Sequence, residues 1–207
     1  MKTRELIKKK GRELFNQRGL MFVTLRDVAA ALEKSYGNIT YHFATKEKMV
    51  TELYHDMVSE LQHAASGMME STPSLEKVLQ APAATFEVGL HYLFLQKDYV
   101  DILRNYPEIG KLADHNNRIR KQSYMGMLKL LHQQGMLQPG LQEEDLDYLM
   151  ELSGAMRTFF FMQLDIASTA PSTLKKEYIR YVNRLLYPYL SEKGRQIYHQ
   201  QEEAWSM

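Results

Sequence analysis

Residues 24–47, TLRDVAAALEKSYGNITYHFATKE, read as two short helices with a tight connection, followed by the start of a third helix. Thr24 stands three residues before Asp27, the spacing of a capping box, in which a hydroxyl and a carboxylate each satisfy an amide left unpaired where a helix begins. Leu25, Val28, Ala29 and Leu32 then fall on one apolar face. Ser35 is placed to cap the second short helix. In it Ile39 and Phe43 point inward and leave Tyr36, Gly37, Asn38, Thr40, Tyr41 and His42 toward the outside. This is the outline of a helix-turn-helix, and an exposed face of that composition suits hydrogen bonding to a duplex.

The run T-L-R-D-V-A, then S-Y-G-N-I-T-Y-H-F, then T-K-E-K-M resembles the TetR family of bacterial transcriptional regulators in both order and spacing. The preceding E-L-F-N-Q-R-G, Glu13 to Gly19, resembles that family's first helix and its terminating glycine. The match covers roughly the first 60 residues; beyond them the chain resembles the family only in being helical. One departure stands in the turn, where the family usually has Ala-Gly-Val and this chain has Leu32-Glu33-Lys34. Without glycine, the residue that turns the chain must tolerate a less favourable backbone angle.

A chain of 207 residues can bury a proper core without a staple of disulfides or metal. It contains no cysteine, which removes disulfide frameworks, thiolate zinc sites and cysteine nucleophiles together. The N-terminal MKTRELIKKKGRELF is charged at close intervals and lacks the apolar run of a signal peptide, and no stretch approaches the roughly 20 apolar residues of a membrane span. A cytoplasmic protein with no membrane contact is the expectation. The formal net charge is only +1, yet residues 1–50 carry eleven Lys or Arg against five Asp or Glu, so the basic excess sits on the proposed helix-turn-helix. Phosphate contacts require such an excess. Lys8, Lys9 and Lys10 either contribute to it or solvate the outer face of the first helix.

Spacing of three and four between apolar residues recurs along the whole chain, and strand-length alternation is sustained nowhere. The fold class expected is therefore all-α: an N-terminal three-helix helix-turn-helix DNA-binding domain joined by a linking helix to a helical regulatory and dimerisation domain, with about nine helices in all. A first helix is expected from about residue 3 to Arg18, ended by Gly19, and a linking helix from Thr45 through Leu61, with a boundary near 66–74 at Ser71-Thr72-Pro73. Later helical stretches fall at about 75–96, 98–105, 108–135, 143–168 and 172–190. The domains expected are 1–48 for DNA binding, 49–190 for ligand binding and dimerisation, and 191–207 as a C-terminal tail or frayed helix. The stretch 143–168 is apolar round most of its circumference, so it must be buried on more than one side, and Ser153, Gly154 and Ala155 would let another helix approach. Together with 172–190 it is the candidate homodimer interface, the alternative being an intramolecular core; the family's usual dimerisation through its last helices favours the dimer.

Asn38 is the leading base-reading candidate, because its amide sets a donor and an acceptor side by side, as adenine's N6 and N7 require. Tyr36 can reach a base or a thymine methyl, and Gly37 lets the helix backbone come close to the duplex. Thr40, Tyr41 and His42 match family positions that contact bases or phosphates, with Thr40 where an aromatic is common. Lys46 matches a lysine that grips the DNA backbone, and Thr24 opens a helix N-terminus whose amides suit a phosphate. Ser35 completes the set. Arg26 either binds phosphate or pairs with Asp27. Two such heads in a symmetric dimer imply a palindromic or near-palindromic operator on double-stranded DNA.

The resemblance further implies an inducer pocket in the helical body, and Phe86, His91, Tyr92, Tyr124, Met127, Met156, Phe159 and Phe160 are candidates to line one for a small apolar or aromatic effector. They read equally well as ordinary bundle core. His115, Asn116, Asn117 and Arg118 form either an orienting polar cluster or a solvated face. No cofactor and no metal is expected: His55 and His63 share a helix face without a placed carboxylate, and the H-E-x-x-H, G-x-S-x-G and phosphate-cradling glycine motifs do not occur. The reading is a sequence-specific, ligand-modulated regulator, a repressor rather than an enzyme. Its competitors are a DNA-binding helical protein controlled by a protein partner, and a helical ligand-binding protein or enzyme without operator binding.

Overall fold

The computed structural model describes residues 3–69, 74–165 and 169–206. These form eleven α-helices: α1 Thr3–Arg18, α2 Leu25–Ala31, α3 Tyr36–His42, α4 Lys46–Met69, α5 Leu75–His91, α6 Leu93–Lys97, α7 Tyr99–Asn105, α8 Pro107–Gln133, α9 Glu143–Met162, α10 Pro171–Leu186 and α11 Glu192–Ser206. There is no strand among the described residues, only an isolated antiparallel bridge between Leu137 and Leu190. The count exceeds the nine expected because the stretch read as one helix over 75–96 breaks at Tyr92, and because the C-terminal segment is helical. The boundary expected near 66–74 falls partly on residues 70–73, outside the described residues, and α4 runs on to Met69.

Local chemistry explains where these helices start and stop. Gly19 ends α1 at φ +84°, a left-handed angle open to glycine, with its amide donating to Phe15 O at 2.9 Å. Pro107 and Pro171 stand at the first positions of α8 and α10, where a missing N–H costs nothing. The amide of Gln142 donates to the Asp145 carboxylate at 2.8 Å and so fixes the start of α9.

The chain packs as two compact units. The first comprises the residues through Glu60 together with Val88–Asp114, and the second comprises Leu61–Glu87 and the residues from His115 onward. The sequence reading closed the DNA-binding domain at residue 48; the first unit extends further because α6 packs on α1. Asn16 makes the join: its side-chain NH₂ donates to His91 O at 2.9 Å and its oxygen accepts from the Phe94 amide at 3.0 Å, while Phe15 and Phe94 meet with ring centroids 5.2 Å apart. In the second unit Leu75, Leu79, Leu128, Leu131, Leu146, Leu149, Leu186 and Leu190 form the core. The buried Asn183 donates to Leu79 O at 2.8 Å, which satisfies an amide that would otherwise be costly there.

The segment 191–207, expected as a tail or frayed helix, is a packed helix over most of its length. Tyr198 is fully buried in the second core, Trp205 stands edge-on to it at 5.6 Å, and Ser191 caps the helix by accepting from the Gly194 amide at 3.1 Å. The sequence looks polar here because α11 buries only a narrow stripe.

Candidate nucleic-acid interface

The head is built on two caps and one turn. Thr24 caps α2: its hydroxyl accepts from the Asp27 amide at 3.3 Å, and the Asp27 carboxylate accepts from the Thr24 amide at 2.7 Å and from its hydroxyl at 2.5 Å. Those hydrogen bonds to the charged form hold the Asp27 carboxyl below its ordinary pKa. Ser35 caps α3, accepting from the Asn38 amide at 3.2 Å. Between the two helices Glu33 adopts φ +53°, the one positive φ outside glycine among the described residues. The turn therefore bends where a glycine would bend it, at the cost of a left-handed glutamate.

Val28 and Ile39 are fully buried and Phe43 nearly so, which locks α2 and α3 together. Each such side chain contributes roughly 1.5–3 kcal/mol of burial free energy. The opposite face of α3 is left to solvent, with Gly37 and Asn38 exposed and Tyr36 and Tyr41 46% and 85% exposed. Tyr41 and His42 meet edge-on at 5.1 Å. The guanidinium of Arg26 lies 5.1 Å over the Tyr36 ring, so it joins α2 to α3 and does not pair with Asp27. The Thr40 hydroxyl donates back to Tyr36 O and Gly37 O, both at 3.2 Å, and is half-buried, which leaves Tyr36, Asn38 and Tyr41 as the most outward groups of α3.

Lys46 is more constrained than the sequence suggests. Its ammonium donates to Leu20 O at 2.9 Å and Val23 O at 3.0 Å, and burial lowers its pKa against the pull of Asp27 and Asp98. One proton is left for a phosphate. Lys8 is likewise held: burial disfavours its charge, but bonds to Asp56 at 2.8 Å and Glu5 at 3.1 Å outweigh that and raise its pKa. Lys10 pairs with Glu13 at 2.6 Å, so Lys9 is the exposed cation of that run.

Sequence reasoning missed Arg4. This side chain donates to His42 O at 2.6 Å, stacks 4.3 Å over Phe43 and pairs with Glu52, tying the end of α3 to α1 and α4. Its partners stand 38 and 48 residues away, and no local signal announces them.

Residues 7–53 match the model for bacterial regulatory proteins of the tetR family, and residues 53–198 match the TetR model described as a bacterial transcriptional repressor. This chain belongs to the TetR family. It is 30% identical over 139 residues to the HTH-type transcriptional repressor KstR2 of Mycobacterium tuberculosis H37Rv, a stretch covering 65% of this chain and 68% of the relative. A TetR-family transcriptional regulator from Marinobacter aquaeolei VT8 shares its fold at TM-score 0.88 and 22% identity, with 99% of each chain covered. The ketosteroid transcriptional regulator KstR2 of Mycobacterium tuberculosis superposes at TM-score 0.74 and 21% identity, covering 92% of this chain and 96% of that one. This TetR-family chain is accordingly a DNA-binding transcriptional repressor and not an enzyme.

The residues offered for an effector pocket do not form one set. Phe86 and Phe160 are buried in an aromatic cluster of the second unit with Phe161 and Tyr178, at centroid separations of 5.2–5.9 Å. Tyr124 and Met127 pack against the leucine core of that unit, Met156 is half-buried and Phe159 is 61% exposed. His91 and Tyr92 belong to the first unit. There the Tyr92 hydroxyl donates to Glu60 at 2.6 Å under the Arg12 guanidinium, and burial foremost pushes its pKa far above the ordinary phenol range. An open cleft of ≈ 360 Å³ beside them is lined by the charged Glu5, Lys8, Lys9, Arg12, Asp56 and Glu60 together with Leu53, Ser59 and Tyr92. His115 and Asn117 are exposed, as a solvated face requires. Among the described residues no helix is long and apolar enough to cross a membrane, and no group of three or more His, Asp or Glu side chains is placed to hold a metal.

Proposed function

We propose that this TetR-family repressor acts in the cytoplasm as a homodimer on a near-palindromic operator, with its DNA affinity lowered by a small molecule held in the second unit. The observation that carries the DNA-reading part is the outer face of α3, where Tyr36, Gly37, Asn38 and Tyr41 stand exposed on a helix fixed by the Ser35 cap and by Arg4. A recognition helix needs that combination: polar and aromatic groups free to meet base edges, on a backbone that does not shift when they do.

Support for the dimer comes from α9. Tyr148, Leu152, Ala155, Phe159 and Met162 follow one another at intervals of four and three, and all five are exposed, as is Tyr181 on α10. An apolar stripe of that length in water is an unpaired surface, and an isologous contact with the same stripe of a second copy would cover it.

Selection of bound duplexes from a random pool by the purified protein tests the reading. The expected outcome is a site with inverted symmetry and half-site centres about one helical turn apart or a multiple. Enrichment of a single unrepeated half-site would remove the dimer from the proposal, and no enrichment would remove sequence-specific reading by α3.

A further inference from the structure

Residues 19–23 carry the chain from α1 into α2, and the backbone bonds within this stretch are long. The Phe22 amide donates to Gly19 O at 3.3 Å and the Val23 amide to Leu20 O at 3.4 Å. The short bonds come from outside it. The Leu20 amide donates to Asp98 Oδ2 at 2.7 Å, while Lys46 Nζ donates to Leu20 O at 2.9 Å and to Val23 O at 3.0 Å. Leu20 is thus held at its amide and at its carbonyl by two different side chains, and it is fully buried. A stretch bound in this way takes its position from those partners, and with it the position of the first turn of α2.

Asp98 is an unexpected partner. It ends α6 and opens α7, a place where an aspartate ordinarily caps its own helix, yet its side chain makes no bond to the start of α7. The carboxylate reaches instead to an amide 78 residues earlier in the chain. Asn16 fastens the same region to α1 through His91 O and the Phe94 amide, so residues 91–98 are in register with the end of α1 where Asp98 meets Leu20. All of these groups belong to the first unit.

Asp98 also acts on charge. Lys46 is half-buried, which disfavours its ammonium form, and the charges of Asp27 and Asp98 oppose that loss. Asp27 is itself part of the cap of α2. The ammonium, the cap and the Asp98 carboxylate therefore form one connected arrangement at the end of α2 whose amides suit a phosphate.

Resting on the reading of α2 and α3 as the DNA-binding head, we propose that Asp98 is a positioning residue for DNA binding. By fixing Leu20 it sets the place of the Lys46 ammonium and of the first turn of α2 against a DNA phosphate. The sign of its effect is distinctive. On charge alone, removal of a carboxylate from a protein that binds a polyanion raises affinity; removal of this one lowers it.

The test is an anisotropy titration of a labelled random-sequence duplex at several salt concentrations. The natural chain is compared with D98A, D98N, K46M and the double variant D98A/K46M, at a temperature where circular dichroism shows each one folded. A natural chain that binds no duplex removes the reading of the head itself; where it binds, the variants decide the role of Asp98. D98A should bind roughly three- to tenfold more weakly, the equivalent of one lost hydrogen bond. Its log–log salt slope should be shallower by about 0.9 for each head engaged, which is the mark of one lost phosphate contact and which a loss of stability alone does not produce. D98N keeps an oxygen that can accept from the Leu20 amide and should recover most of the affinity. In the K46M background D98A should cost no further affinity, because the two side chains act on one residue. Higher affinity in D98A, a lowered Tm with unchanged affinity and slope, D98N as weak as D98A, or additive losses in the double variant each overturns the proposal.

Discussion

Glu33 carries the turn of the helix-turn-helix in a left-handed conformation that a glycine adopts freely. For an L-residue with a Cβ this costs about 1–2 kcal/mol, partly offset by the greater freedom that glycine loses on folding. The Glu33 side chain is exposed, and among the described residues it makes no hydrogen bond that would be lost. Glu33→Gly should therefore stabilise the protein by about 0.5–1 kcal/mol, read as a rise in Tm of a few degrees; a fall would mean that the glutamate holds a contact outside the turn. Asn38 and Lys46 separate the two duties of the head. Asn38→Ala should relax base preference at one operator position by about 1–3 kcal/mol while leaving nonspecific binding alone. Lys46→Met should weaken all sequences alike, because it removes a charge and frees the carbonyls of Leu20 and Val23 that position the approach to α2. Selected-site profiles of the two variants that changed in the same way would contradict the division.

At the scale of the helix, the same spacing rules give different answers on different faces. Three consecutive phenylalanines in α9 step round the helix by about 100° each: Phe160 and Phe161 are buried in the aromatic cluster, whereas Phe159 is directed outward on the stripe that begins at Tyr148. In the proposed dimer a charge at that position would meet the stripe of the second copy twice over, once from each protomer. Phe159→Glu should yield a monomer in sedimentation velocity and lower operator affinity at least tenfold, with melting of the monomer close to that of the natural chain at low concentration. A dimer of undiminished stability would place the interface elsewhere. Capping was legible at this scale because it is local: Thr24 with Asp27, and Ser35 with Asn38, lie within one turn of one another. The break at Tyr92 was not, since it serves the packing of α6 on α1 through Asn16, a partner 78 residues distant from Phe94.

For the whole molecule, the uneven charge along the chain sets how binding responds to salt. The basic excess of residues 1–50 is smaller in effect than its count, because Lys8, Lys10 and Arg4 are each spent on carboxylates of the first unit. A dimer with about six phosphate contacts should lose on the order of a thousandfold in affinity between 50 and 200 mM salt. A slope less than half of that in log–log form would mean that the ion-paired lysines stay paired on DNA. All-α character, the helix-turn-helix and the outward face of α3 were readable from sequence, because apolar spacing and caps are properties of short windows. The Arg4 tie and the burial of α11 were not, because each joins segments brought together only by packing. The effector candidates show the same limit. Aromatic and methionine residues of similar appearance fall in a buried cluster, on an exposed stripe and in a different unit, and composition alone does not distinguish these fates.

The packing of α11 has a practical corollary. The chain contains a single tryptophan, Trp205, and its ring stands against the buried Tyr198 near the far end of that helix. Excited at the red edge of its absorption, this one indole is a built-in fluorophore whose emission colour follows the docking of the last helix. Detachment of α11 would shift it to longer wavelength before the rest of the fold melts, and the final helix can thus be watched by itself in a protein that carries no dye.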